Sequence, residues 1–186
     1  MNNERLTAFE DAILAIIMTI LVLDLSKPKE VSWAGLWDLR ISFFAYALSF
    51  FWIGLMWMSH HNNWRLVHII DMKTILLTLV LLFFASLFPY TTSLVSENFN
   101  NSTAQVFYGL IIIAISLLNV ALSQNLGRLN PKANFGLLYK TPNRVVFLDL
   151  GIKFIGLVLA ITVYPAAMIY SIFIASVVLG FNFSKE

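Results

Sequence analysis

Long apolar runs alternate with short polar segments along the whole chain. A helix needs roughly 20 apolar residues, at about 1.5 Å per residue, to cross the hydrocarbon core of a bilayer. This criterion predicts six membrane-spanning helices, near residues 6–26, 40–59, 72–95, 105–123, 145–163 and 166–182. Only a tight turn at Tyr164 and Pro165 separates the last two, so we expect them to form an antiparallel hairpin. The pattern therefore predicts an all-α integral membrane protein.

The composition supports a membrane protein and excludes several other classes. Hydrophobic residues make up 59% of the 186 positions and charged residues only 12%. No polar stretch is long enough to bury a core of its own, so we expect residues 1–186 to form a single domain. The net charge of +2 is too small to indicate a nucleic-acid partner, and the absence of cysteine excludes thiolate metal sites. No small-residue cleavage site follows the first apolar run, which argues against a removable signal peptide.

The basic residues of the loops predict how the chain is oriented. The segment 124–144 contains Arg128, Lys132, Lys140 and Arg144, whereas the loop around Glu97 has no Lys or Arg. By the positive-inside rule the basic segment is cytoplasmic, and an even number of spans then places both termini in the cytoplasm. Arg5, Arg65 and Lys185 agree with this orientation, but Lys27, Lys29 and Arg40 do not.

The first span has more charge than a membrane helix normally tolerates. Its charged residues, in the segment RLTAFEDAILAIIMTILVLDL, are Arg5, Glu10, Asp11 and Asp24. A charge near the bilayer centre costs about 2.5 to 3.5 kcal/mol, so such groups normally face the bundle interior or water. At about 100° per residue, Ile16, Thr19, Ile20 and Leu23 share one face, and Asp11 is turned about 140° from Ile16. We therefore expect Asp11 to point into helix packing. Periodicity alone favours an ordinary packing surface for the Ile16 face.

Three segments resemble one known family. "RLTAFED" resembles the Arg-x-x-x-Phe-Ser-Asp signature that opens the first helix of the endosomal and lysosomal potassium channels and their prokaryotic relatives. Arg5, Phe9 and Asp11 match the signature, and Glu10 stands where the family has serine. "WMSHHNNW" and "FASLFPYTTSL", at the ends of the second and third spans, are also similar to family segments.

The resemblance implies a single-repeat, prokaryotic potassium channel of non-classical architecture. Such a channel is a homotetramer in the bilayer of the prokaryotic inner membrane, and the first helix of each subunit lines a central pore for K⁺ and other monovalent cations. Carried over to this chain, Ile16 forms the constriction, and Thr19 and Leu23 lie further along the same face. An apolar ring can gate by excluding water. The sequence lacks the Thr-Val-Gly-Tyr-Gly filter, so we expect weak discrimination among cations.

Arg5, Phe9 and Asp11 are then a structural signature at the cytoplasmic start of the pore helix. A carboxylate that leaves water needs donors or positive charge. The resemblance places three candidate packing partners for Asp11 on the second span, namely Trp57, His60 and His61.

Other classes of function have less support in the sequence. Adjacent His60 and His61 diverge by about 100° on a regular helix and cannot readily chelate one ion, so we expect neither a metal site nor a cofactor. No nucleophile and base signature indicates an enzyme. A secondary transporter or small-molecule permease remains the main alternative, and a non-conducting membrane scaffold is a third.

The later spans contain three features that affect packing. Pro89 lies near the outer end of the third span and is expected to end or bend it. Gly151 and Gly156 in the fifth span could permit close helix approach. Lys153 could extend to the interface or pair with Asp149 one turn earlier.

Overall fold

The computed structural model describes residues 3–133, 135–138 and 141–183. Regular structure in these residues is almost entirely helical, with one isolated β-bridge between Leu138 and Thr141. The α-helices are α1 (Asn3–Leu23), α2 (Trp33–Asp38), α3 (Arg40–Trp64), α4 (Met72–Ser86), α5 (Phe88–Glu97), α6 (Ser102–Leu129), α7 (Asn143–Thr162) and α8 (Ala167–Phe183). A single 3-10 turn, Pro131–Ala133, follows α6.

Among the residues that the structure describes, five helical stretches are long and apolar enough to cross a membrane. They are α1, α3, α4 together with α5, α6 and α7, and the apolar part of α8, Ala167–Gly180, is shorter. The chain is therefore an all-α membrane protein, as predicted. α8 lies at the position of the sixth expected span, 166–182, and its described apolar part is shorter than a full membrane crossing at about 1.5 Å per residue.

The predicted third span is two helices and not one. The chain breaks at Leu87, and Pro89 occupies the first turn of α5. A proline has no N–H to continue the helical ladder but is tolerated in a first turn, where that N–H has no helical partner. Pro89 therefore begins a new helix inside the span.

Two other spans extend past their expected ends. α3 continues to Trp64 and α6 to Leu129, so His60 and His61 lie on a helix. Between α1 and α3, the short helix α2 begins at Ser32, whose side chain accepts a hydrogen bond from the backbone N–H of Gly35. Such a cap satisfies one of the donors left open at a helix start.

Contacts between the helices show which of them are neighbours across the bundle. α1 contacts α3, α4 and α5, and α6 contacts α4, α5, α7 and α8. α7 and α8 pack along each other as a hairpin, and α8 also reaches α3. Gly156 allows this close pairing, because a β-carbon there would overlap the Ser171 side chain, whereas Gly151 has nothing near it. α1 therefore lies at the edge of the bundle opposite the α7–α8 hairpin.

Candidate functional site

α1 has two faces of different character. Its buried residues are Leu6, Glu10, Leu14, Ile17 and Leu21, spaced by three or four positions as one stripe of a helix requires. On the other side, Ile16 is 56% exposed and Leu23 is 78% exposed. The buried stripe attaches α1 to the bundle and leaves a largely apolar face exposed.

The residues expected to line a pore lie on this free face. Ile16, Thr19 and Leu23 are all exposed. The Thr19 hydroxyl donates to the carbonyl oxygen of Ile16 at 2.8 Å, so its own oxygen remains available as an acceptor. Beside the face, a groove of about 440 Å³ runs between α1 and α5 and has Ile16 and Tyr90 among its lining residues. The free face therefore combines apolar side chains with one hydroxyl oxygen.

The buried acid of α1 is Glu10. Its side chain is 1% exposed, and the indole N–H of Trp64 donates to Glu10 Oε2 at 2.8 Å. His60 Nδ1 contacts Glu10 Oε1, and His60 Nε2 contacts the side-chain oxygen of Asn119. Both oxygens are acceptors, so this geometry suits an imidazolium that donates from both nitrogens and balances the carboxylate. The cluster joins α1, α3 and α6.

Asp11, which the sequence predicted would point into the packing, is only partly buried. The indole N–H of Trp57 donates to Asp11 Oδ1 at 2.8 Å, and the His61 ring lies against Trp57 with 5.4 Å between ring centroids. Of the three expected partners, Trp57 bonds to Asp11, His61 contacts Trp57, and His60 bonds to Glu10 instead. The sequence-based interpretation missed Glu10. The signal that could have found it is the stripe of Leu6, Glu10 and Leu14 at four-residue spacing.

The other two signature residues face outwards in the single chain. Arg5 is exposed, and Phe9 is 46% exposed. The free face of α1 and the outward Phe9 leave apolar surface at the same edge of the bundle.

The intramembrane lysine pairs within its own helix and does not extend to the interface. Lys153 is 1% exposed, and its ammonium donates to Asp149 Oδ2 at 2.7 Å and to Ser116 Oγ at 2.9 Å. In the part of the chain that the structure describes, no group of three or more His, Cys, Asp or Glu is placed to hold a metal ion.

A bundle of apolar helices with ionised groups paired inside it defines a polytopic integral membrane protein. The fold matches the crystal structure of a lysosomal potassium-selective channel TMEM175 homolog from Chamaesiphon minutus, with a TM-score of 0.71, 23% sequence identity and 97% of each chain covered. Residues 5–89 match the family model for the endosomal/lysosomal potassium channel TMEM175. The chain belongs to the TMEM175 family.

Relatives in bacteria extend the match beyond those residues. The chain is 38% identical over 118 residues to a potassium channel of Chryseobacterium sp. (strain P1-3), which covers 62% of each protein. It is 32% identical over 135 residues to a potassium channel of Streptomyces collinus, which covers 68% of this chain and 66% of the relative. The chain thus spans a little under two thirds of the length of these relatives.

Proposed function

We propose that the chain is the subunit of a potassium-permeable cation channel that passes ions passively across the membrane. Four copies surround a central axis, and α1 of each copy lines the pore. Residues 1–186 act as one channel domain in each subunit. K⁺ is the permeant ion, and other monovalent cations pass with weaker preference.

The observation that carries the proposal is the two-faced first helix. α1 lies at an edge of the bundle and presents Ile16, Thr19 and Leu23 away from its own chain. The buried acid, Glu10, is turned about 120° from Ile16 and is already paired. The exposed face of α1 is not enclosed by its own chain, so a pore along it requires further copies that bring their α1 helices together around an axis.

The side chains of the free face suit a pore gated by hydration. A ring of four Ile16 side chains would exclude water and oppose the passage of a hydrated ion. Leu23 would form a second apolar ring about 10 Å further along the axis, seven residues at the helical rise. Thr19 lies between them, with an oxygen that can replace part of the water around a cation. Without a filter of backbone carbonyls, such a pore discriminates modestly between K⁺ and Na⁺.

The same proposal includes an orientation in the prokaryotic inner membrane. Arg128, Lys132 and Arg144 lie in and around the connection between α6 and α7, which supports a cytoplasmic position for that connection and, with six crossings, for both termini. Lys140 and Lys185, which also entered the sequence-based prediction, lie outside the described residues. The first ring that a cytoplasmic ion meets is then Ile16.

Planar-bilayer recording under a potassium gradient tests conduction and the pore lining together. Ile16→Asn should increase cation current and reduce the preference for K⁺ over Na⁺, because an amide lowers the dehydration barrier of the ring. Val22→Asn is the matched control, since Val22 is 47% exposed on the same helix but turned about 120° from Ile16. It should leave the reversal potential unchanged.

Two results would contradict this assignment. Unchanged conductance and selectivity in a fully assembled Ile16→Asn channel would remove that residue from the pore. Saturable, ion-coupled flux in place of ohmic current would favour the transporter alternative. Native mass spectrometry in mild detergent tests assembly separately, with four chains expected and monomers alone as the contrary result.

A further inference from the structure

A second cavity lies inside the subunit, away from the proposed pore. It has a volume of about 60 Å³, and its lining residues come mainly from α3, α6, α7 and α8 and none from α1. One water needs about 10 to 15 Å³ of such space, so the cavity has room for about four to six waters or for a molecule of similar size. Much of its wall is apolar, with Leu55, Val120 and Leu150 among the lining residues.

The ion pair of α7 forms one polar part of this wall, and further polar side chains from α3, α6 and α8 also line it. The Lys153 ammonium donates hydrogen bonds to Asp149 and Ser116 and lies 5.6 Å from the centre of the Trp52 ring. Asp149 is 4% exposed, and its second oxygen, Oδ1, has no hydrogen-bond partner among the residues that the structure describes. A buried carboxylate oxygen without a donor is costly in a membrane interior.

The chemistry of the wall restricts what can fill the cavity. The occupant must offer a hydrogen-bond donor to Asp149 Oδ1. Lys153 already balances the charge of Asp149, so a charged occupant would bring an uncompensated charge into the bundle. Most of the remaining wall is apolar, and apolar surfaces of this kind accept small apolar molecules. A neutral molecule with one hydroxyl and an apolar body meets all three conditions.

The geometry points to a binding site for a small neutral alcohol in this cavity. The hydroxyl donates to Asp149 Oδ1, and the carbon or halogen atoms lie against the apolar side chains of α6 and α7. The cavity size limits the ligand to about four to six heavy atoms. None of the lining residues lies on α1, and the contact of His60 in the wall with Glu10 links the site to that helix.

Tryptophan fluorescence can detect this binding, since Trp52 is part of the wall. The probe is 2,2,2-trichloroethanol, a small alcohol that quenches indole fluorescence, added to the full chain in detergent micelles. Quenching of the other tryptophans by probe dissolved in the micelle should rise linearly with concentration. Quenching of Trp52 should add a saturable component, and the Trp52→Phe variant should lose it.

Two substitutions on α6 provide the matched comparison. Val120→Phe fills the cavity and should abolish the saturable component. Leu117→Phe makes a similar enlargement less than one turn earlier, at a position that is 46% exposed and does not line the cavity, and should retain it. If Val120→Phe does not fold, the smaller change Val120→Leu should weaken the saturable component several-fold.

A probe without the hydroxyl separates hydrogen bonding from simple filling of space. We expect 1,1,1-trichloroethane to bind about tenfold or more weakly, because a hydrogen bond to a charged acceptor is lost. Equal saturation by both probes would overturn the role of Asp149. Linear quenching alone would show that the probe does not bind in the cavity, and a saturable component that persists in Val120→Phe would show that it binds elsewhere. Either result would overturn the site.

Discussion

Replacement of Glu10 by alanine tests whether one buried carboxylate fixes α1 to the rest of the bundle. The substitution removes the acceptor for the indole N–H of Trp64 and the counter-charge for His60, both of which lie in the interior. Removal of one partner of a buried ion pair costs about 3 to 5 kcal/mol. For a chain of this size, 1 kcal/mol changes the melting temperature by about 2 to 4 °C, so we expect a decrease of about 6 to 20 °C.

Asp11→Ala is the matched control on the neighbouring residue. Asp11 is only partly buried and has one described hydrogen bond, from Trp57, so its loss should cost about 0.5 to 1.5 kcal/mol, or about 1 to 6 °C. The assay heats each variant in the same detergent and measures the folded fraction by size-exclusion chromatography. A Glu10→Ala protein that melts with the wild type, or a larger loss in Asp11→Ala, would refute the reasoning.

Two further predictions concern the hairpin and the start of α4. Gly156→Ala should lower the melting temperature measured in the same assay, because its methyl group overlaps the Ser171 side chain, whereas Gly151→Ala should have little effect; equal losses would contradict the packing assigned to Gly156. The backbone N–H of Thr74 donates a hydrogen bond to the Asp71 carboxylate and lowers the pKa of Asp71. The ionised carboxylate therefore stabilises the folded protein fully above its ordinary pKa of about 4, and this contribution to stability is lost as the pH falls below that value. Melting curves recorded from pH 7 to pH 3 should therefore show the difference between wild type and Asp71→Asn shrinking at the acid end, and a constant difference would exclude this linkage.

The main spans could be predicted because the thickness of the bilayer constrains them directly. α1 and α7 lie close to where a window of about 20 apolar residues places them. The predicted C-terminal end of α3 was wrong because hydropathy treats His60, Asn63 and Trp64 as loop residues. In the structure they are buried on the helix, and their polar atoms have partners on the chain. Hydropathy measures transfer to lipid and does not register such pairing.

The interior sites depend on contacts between distant segments. The resemblance directed attention to Asp11, since Glu10 stands at the position of a family serine, yet Glu10 lies on the stripe that packs. Asp149 and Lys153 could be paired from their four-residue spacing. Their contact with Ser116, and the cavity beside them, required the three-dimensional placement of α6 against α7.

The contacts of Glu10 with α3 hold α1 near its N-terminal end, so Glu10 is the point about which we consider a tilt of α1. Ile16 lies about 9 Å beyond this point along α1, and Leu23 lies about 20 Å beyond it. A tilt of α1 about Glu10 therefore displaces Leu23 roughly twice as far as Ile16. A rotation of α1 about its own axis would instead break the contacts of the Glu10 carboxylate with Trp64 and His60. In the proposed channel, such a tilt of α1 would therefore widen the pore more at the Leu23 ring than at the Ile16 ring.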